Sequence, residues 1–185
     1  MAKNNQTETE TTRTTSAKAG KYLTFQLGAE EYGLEILKVK EIIGLMEITA
    51  VPRTPHYVRG VINLRGKVIP VIELRSKFDM ETTEDTDQTC IIVVEVASDN
   101  GAIQTGVVVD AVSEVLDITE DQIENAPSFG TGVDTEFILG IGKIREEVKI
   151  LLDIDKVIDV DIVTGFTDSY DNQMQDEEIS ELVEA

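Results

Sequence analysis

The stretch from Val58 to Arg75, VRGVINLRGKVIPVIELR, is the strongest fold signal in this sequence. It reads as two apolar strands rich in Val, Ile and Leu, joined by a tight turn at residues 65–67. Gly66 supplies the positive φ that a short hairpin needs. Arg65 then lies at the lip of an apolar hairpin. It is either a solubilising turn residue or a contact residue, since arginine is enriched in protein interfaces.

A repeat within the chain links this hairpin to a later segment. An offset of 80 residues aligns Gly60 with Gly140 and Arg65 with Arg145 without a gap. An earlier hairpin, centred on Gly33, recurs at an offset of 73 residues, and the two matches follow the same order along the chain. Two ordered matches favour a duplicated unit over a chance likeness between aliphatic strands.

The repeat predicts a mainly β protein made of two pseudo-repeated subdomains with short helices. Each half holds about five short strands, and strand-rich units of ~65 residues tend to close into barrels because closure removes their edges. The expected bounds are a disordered lead over residues 1–20, a folded domain over 21–166 and an acidic tail over 167–185. Within the domain, subdomain one covers about 21–80 and subdomain two about 88–160, with an exchange of chain ends left open.

Two packed barrels leave a groove between them, and this groove is where a ligand is expected. Four interface-like residues remain once the strands are assigned: Val39, Arg65, Val112 and Val115, all in apolar, turn-rich surroundings. The segment that carries Val39, residues 37–43, has apolar residues at helical spacing and is read as a short helix or a bent strand.

Composition narrows the possible partners. The net charge of −20, from 36 acidic and 16 basic residues, repels phosphate backbones and anionic lipid, which disfavours a nucleic-acid role and suits a basic partner. Aromatic residues for stacking bases are few. Cys90 is the only cysteine, so no disulfide forms within the chain, as suits a reducing compartment. No apolar run approaches the ~20 residues of a membrane span, so direct membrane insertion is not expected.

Catalytic signatures are missing from the sequence. His56 is the only histidine, and there is no GxSxG elbow, Walker A loop or GxGxxG motif. No cofactor or metal is expected, because Asp153 and Asp155 lack the spacing of a calcium loop. A small acidic enzyme or metal-dependent hydrolase that uses Asp and Glu remains the alternative function. Its mark would be clustered carboxylates with raised pKa values.

Three runs of sequence resemble a known family. They are EYGLEILKVKEI at residues 31–42, PHYVRGVINLRGKVIPVIELR at residues 55–75 and GVVVDAVSEVL at residues 106–116. Together they look like the bacterial chemotaxis coupling proteins of the CheW family, over about residues 21–160.

The resemblance implies two SH3-like five-stranded barrels packed together, in agreement with the repeat. It also implies an adaptor without catalytic activity, cytoplasmic and monomeric when free. Such an adaptor couples the cytoplasmic tip of transmembrane methyl-accepting chemoreceptors to the regulatory domain of the histidine kinase CheA. It scaffolds the signalling array, which recruits it to the inner face of the membrane.

Carried over position by position, the resemblance places the receptor tip in the groove between the barrels. The residues that line or border this groove would be Val39, Glu41, Gly60, Arg65, Val112 and Val115. Arg65 would be the polar anchor at the rim. The kinase contact joins barrel end to barrel end and is mainly apolar, and Val68 is the candidate residue for it.

Overall fold

The computed structural model describes residues 19–127 and 135–165 of the protein, and strands dominate both ranges. The strands are β1 (Gly20–Leu27), β2 (Glu30–Glu35), β3 (Val39–Gly44), β4 (Val58–Leu64), β5 (Lys67–Glu73), β6 (Cys90–Ser98), β7 (Gly101–Val109), β8 (Ala111–Ile118), β9 (Ile123–Glu124), β10 (Ile138–Ile144) and β11 (Glu147–Leu152). The helices are α1 (Leu74–Lys77) and α2 (Ile154–Val157), with 3-10 turns at Ile36–Lys38 and Glu120–Gln122.

These strands form two sheets with the orders β8-β1-β2-β11-β10-β9 and β3-β6-β7-β5-β4. Each sheet closes on itself, because the strand at one edge runs on to pair with the opposite edge. In the first sheet β8 continues through a 3-10 turn into β9, which pairs with β10. In the second sheet the chain after β3 reaches Thr49, which pairs with Val61 of β4. The predicted pair of small β barrels is confirmed.

The two sheets do not follow a simple division of the chain into residues 21–80 and 88–160, because the chain ends cross over, an exchange that the prediction had left open. Hairpin β1–β2 lies in the sheet of β10–β11, where Gly33 is in register with Leu151. Hairpin β6–β7 lies in the sheet of β4–β5, where Gly106 is in register with Val71. The offset of 73 relates Gly33 to Gly106, and the offset of 80 relates Val71 to Leu151, so the two parallel strand pairs are equivalent. Each repeat therefore contributes its first hairpin to the sheet that holds the other repeat's second hairpin. The sequence repeat is therefore not the packing unit.

The strands alternate between two kinds of core. In β6, Ile91 and Val93 face the core inside the second barrel, whereas Ile92 and Val94 face a larger core shared by both sheets. The first barrel has a smaller core of its own around Tyr22. Burial on both faces explains why these strands read as continuous apolar runs rather than alternating ones. The shared core holds the two barrels together.

Two further predictions meet the structure at the chain ends and at the segment before β3. The predicted disordered lead falls outside the described residues except at its end, where Gly20 already pairs with Ile118 and begins β1. The predicted tail, 167–185, also lies outside them. Residues 37–43, read as a short helix or bent strand, contain the end of one 3-10 turn followed by β3.

Candidate functional site

The turn between β4 and β5 presents Arg65 to solvent. Arg65 and Gly66 have φ values of 54° and 82°, so both central residues of this two-residue turn are left-handed, as in a type I′ hairpin. The side chain of Asn63 closes the turn by accepting a hydrogen bond of 2.8 Å from the backbone N–H of Gly66. The Arg65 side chain is 73% exposed.

Arg65 forms a two-pronged ion pair with Glu41 of β3. Its Nη1 and Nη2 atoms each donate to one Glu41 carboxylate oxygen at 2.7 Å. The hydrogen bond from Arg65 lowers the pKa of Glu41, so the carboxylate stays charged near neutral pH. Two predicted receptor residues 24 positions apart thus form one polar clamp that links β3 to the turn of the β4–β5 hairpin.

The apolar candidates lie on two strands at equivalent places in the two repeats. Val39 begins β3 in register with Val94, and Val112 lies in β8 in register with Phe25. Both valines are half-buried against the core shared by the barrels. Val115, farther along β8, is 49% exposed. The structure therefore places the predicted receptor valines on β3 and β8, each at an end of its sheet order.

Gly60 has a different position from the side chains named with it. It is buried with φ at 148°, and a Cβ atom there would lie 2.1 Å from the carbonyl oxygen of Thr49. This close approach belongs to the pairing that closes the second barrel. Gly60 is thus required by the fold next to the predicted site and offers no side chain to a partner.

Val68, the kinase candidate, lies on the other strand of the same hairpin. It is half-buried and in register with Asn63 of β4, whereas its neighbour Ile69 faces the core of the second barrel. In the second repeat the equivalent residue, Val148, is 53% exposed. Each barrel therefore carries a valine at the same place beside its hairpin turn.

Two exposed apolar residues were not predicted as part of the site. Leu37, in the 3-10 turn before β3, is 91% exposed, and Ile42 of β3 is 45% exposed. Their proximity to Val39 in sequence was the available signal. The sequence left residues 37–43 as a short helix or a bent strand. It therefore did not predict which of their side chains face solvent, because a strand and a helix expose different positions.

The enzyme alternative finds little support in the carboxylates. A cleft of about 450 Å³ includes His56, Arg59, Glu73 and Asp85 in its lining. Burial raises the pKa of Glu73, but Arg59 donates to Glu73 at 3.0 Å and to Asp85 at 3.1 Å. These are the contacts of a structural ion-pair network. Within residues 19–127 and 135–165, no group of three or more His, Cys, Asp or Glu side chains is placed to hold a metal.

A membrane-spanning helix is also not found in this part of the chain, since none of the described helices has the length and apolar character that crossing requires.

Comparison with known proteins places the fold in a family. The family model described as CheW-like domain matches residues 21–161. The chemotaxis protein CheW of Klebsiella aerogenes is 42% identical over 137 residues, which are 74% of this chain and 80% of that protein. The chemotaxis protein CheW of Bacillus subtilis is 35% identical over 142 residues, 76% of this chain and 86% of that protein.

A solved structure agrees with these relatives. The crystal structure of the scaffolding protein TtCheW from Thermoanaerobacter tengcongensis matches with a TM-score of 0.67 at 37% identity, covering 75% of this chain and 92% of that one. The family match spans most of the chain, and the fold agrees with it. The chain therefore belongs to the CheW-like domain family and is a non-catalytic chemotaxis adaptor.

Proposed function

We propose that this adaptor bridges the cytoplasmic tip of transmembrane chemoreceptors to the regulatory domain of the histidine kinase CheA. It acts in the cytoplasm, is monomeric when free and is recruited to the inner face of the membrane through receptor arrays. The domain over residues 21–166 carries both contacts, and the lead and the acidic tail lie outside it. The clamp between Arg65 and Glu41 is the observation that carries the receptor half of this proposal.

The receptor surface combines a polar rim with apolar strands. Arg65 is fully charged, exposed and held in place by Glu41, so little side-chain freedom is lost when a partner binds beside it. Val39 and Ile42 offer apolar contacts on β3, and Val112 and Val115 do so on β8. Arginine is enriched in interface hot spots, and Val39 and Ile42 supply the apolar patch on β3.

The kinase contact is assigned to the barrel end that carries Val68. The kinase's regulatory domain is expected to have the same double-barrel fold, so the two proteins can join barrel end to barrel end. Val68 and its equivalent Val148 mark the same position on the two barrels. Val68 lies on β5, whereas the receptor valines lie on β3 and β8 and Arg65 lies in the turn that precedes β5. The bridging function requires that both partners bind at once.

Signalling through such an adaptor needs no bond chemistry. Receptor occupancy alters kinase activity when the two binding events are coupled, and couplings of this kind amount to about 1–3 kcal/mol in proteins. The adaptor contributes binding free energy and geometry. Its own requirement is that both surfaces be held in a stable relative position.

Substitution of the clamp tests the receptor surface. Arg65→Glu places a carboxylate against Glu41, and Val39→Glu places a charge in the apolar patch. We expect either change to weaken binding of a chemoreceptor cytoplasmic fragment by about tenfold or more. Binding is measured by calorimetric titration, and thermal unfolding verifies that each variant is folded.

The repeat supplies the matched control for this experiment. Arg145 occupies the same place in the turn between β10 and β11, with φ at 52°. Arg145→Glu therefore makes the same charge change in the same kind of turn, away from Glu41. It should leave receptor affinity within about twofold. If Arg65→Glu and Val39→Glu both bind the fragment as tightly as the parent, the receptor surface is assigned wrongly.

A further inference from the structure

A carboxylate joins three elements at the point where the chain enters β8. Asp110 Oδ1 accepts a hydrogen bond of 2.8 Å from Arg75 Nε, and Asp110 Oδ2 accepts one of 2.5 Å from Arg75 Nη2. Asp110 Oδ2 also accepts one of 2.8 Å from the backbone N–H of Gly28. Arg75 belongs to α1, and Gly28 follows β1 directly. We call this arrangement the first clip.

A second clip lies where the chain enters β3. Asp155 of α2 accepts a hydrogen bond of 3.0 Å at Oδ1 from the backbone N–H of Ala97, near the end of β6. Its Oδ2 atom forms an ion pair of 2.6 Å with Lys38 Nζ. Lys38 is the last residue before β3. One carboxylate again ties a hairpin end, a short helix and the start of a strand together.

The two clips are equivalent under the repeat, but their charges are exchanged. The offset of 80 residues places Asp155 at the position of Arg75, and the offset of 73 places Lys38 at that of Ala111. Strand pairing makes Ala97 the counterpart of Gly28, since Leu27 is opposite Glu30 and Val96 is opposite Ile103. The carboxylate comes from the strand entrance in the first clip and from the helix in the second. The shared feature is the junction itself, not one pattern of charges.

Each clip crosses from one sheet to the other. The first connects β1 and β8, both in the first sheet, to α1, which follows β5 of the second sheet. The second connects β6 and β3, in the second sheet, to α2, which follows β11 of the first. Arg75 and the Asp155–Lys38 pair are all less than one-third exposed, so solvent screens these contacts only in part.

We infer that Asp110 and Asp155 are positioning residues that hold β8 and β3 in a defined relative arrangement and so set the geometry of the receptor surface. Lys38 directly precedes Val39, and Asp110 lies two residues before Val112. The consequence for receptor binding rests on the function proposed above. The hydrogen bonds from Arg75 and Gly28 also lower the pKa of Asp110, which keeps the first clip charged at neutral pH.

The positioning role is measured directly by a distance between the strands. In a Cys90→Ser background, nitroxide labels are attached to Lys40→Cys on β3 and Asp117→Cys on β8. Pulsed electron paramagnetic resonance then gives the distribution of distances between the two labels. We expect Asp110→Ala and Asp155→Ala each to broaden or shift this distribution. The conservative variant Arg75→Lys, which keeps the charge, supplies a milder version of the first change if Asp110→Ala does not fold.

Rescue separates positioning from a general loss of stability. The triple variant Arg75→Asp, Asp110→Leu, Ala111→Lys gives the first clip the residues that form the second clip. It should restore the distance distribution of the parent protein. Affinity is then measured for a receptor fragment and for the kinase regulatory domain. We expect receptor affinity to fall about tenfold in the alanine variants and to recover in the triple variant, with kinase affinity within about twofold throughout.

The outcomes distinguish the inference from the proposed function. An unchanged distance distribution in folded variants of both clips would overturn the inference. A parallel loss of receptor and kinase affinity that the triple variant does not restore would do the same, since it would show only a damaged fold. A changed distribution with full receptor affinity would leave the positioning role standing and would count against the proposed receptor surface.

Discussion

Thr105 and Thr24 show how a single hydroxyl is handled differently in the two sheets. Both side chains are fully buried. Thr24 donates to the carbonyl of Glu114 at 2.8 Å and accepts from its N–H at 3.2 Å, which links β1 to β8. The Thr105 hydroxyl in β7 has no hydrogen-bond partner among the described residues. A buried hydroxyl without a partner costs stability, whereas a paired one contributes to it.

The two threonines therefore predict opposite effects of the same substitution. Thr105→Val keeps the shape and removes the unpaired hydroxyl, so the free energy of unfolding should rise by about 1 kcal/mol. Thr24→Val should lower the free energy of unfolding by about 1–2 kcal/mol, because the backbone N–H and carbonyl of Glu114 both lose their hydrogen-bond partner. Urea unfolding at neutral pH measures both. A Thr105→Val protein less stable than the parent would show that the hydroxyl is satisfied in solution.

At the residue scale, the sequence predicted individual site residues but not which of them contact one another. Glu41 and Arg65 were both predicted site residues, yet nothing in the sequence joins positions 24 apart into one clamp. Arg75 and Asp110 lie within the runs that resemble the family, but their contact depends on a helix and a strand meeting between the sheets. Such contacts follow from tertiary packing, which local patterns do not encode.

The β4–β5 and β10–β11 hairpins carry the same turn with different residues. In the β4–β5 turn the second central residue is Gly66, whereas in the β10–β11 turn it is Glu146 with φ at 65°. A left-handed conformation costs a non-glycine residue roughly 1–2 kcal/mol. The second hairpin therefore holds strain that the first avoids.

Exchange of these turn residues is expected to change stability in opposite directions. Glu146→Gly should raise the free energy of unfolding by about 1 kcal/mol, and Gly66→Ala should lower it by a similar amount. Thermal and urea unfolding of both variants measure the effect. Equal stabilities for Glu146→Gly and the parent would indicate that the loss of a charged side chain, or the greater freedom of the unfolded chain, offsets the relief of strain.

At the element scale, the hairpin at residues 58–75 was predicted correctly because apolar strands around a glycine-containing turn form a strong local signal. Residues 37–43 were harder to assign. Their apolar residues fit a helical period over a short window, and the 3-10 turn before β3 satisfies that period for three residues only. Windows this short do not separate the two periods.

At the scale of the molecule, the sequence repeat predicted two equivalent barrels but not their composition. The two repeat alignments would be the same whether β2 paired with β11, which places Gly33 beside Leu151, or with β5, which would place Gly33 beside Val71. The structure selects Leu151, because the chain crosses from one sheet to the other at residues 36–38 and again at residue 110. The two clips lie at these crossings. The crossings are not visible in the sequence repeat, and they are the connections that lead into β3 and β8.

The net charge of −20 acts on the molecule as a whole. It keeps copies of the chain apart in solution and favours encounter with basic surfaces. Against this background Arg65 is an exposed positive charge at the proposed receptor surface, and its exchange for glutamate alters both the local contact and the local potential. Arg145→Glu makes the same change in net charge and therefore remains the proper comparison.

The most direct test of the bridging function is retention of the kinase on the receptor. A chemoreceptor cytoplasmic fragment is immobilised, and binding of the kinase regulatory domain is measured with and without the adaptor. We predict that the regulatory domain is retained when the parent or Arg145→Glu adaptor is present, and that retention falls about tenfold or more with Arg65→Glu. Equal retention without the adaptor, or with Arg65→Glu in place of the parent, would contradict the account.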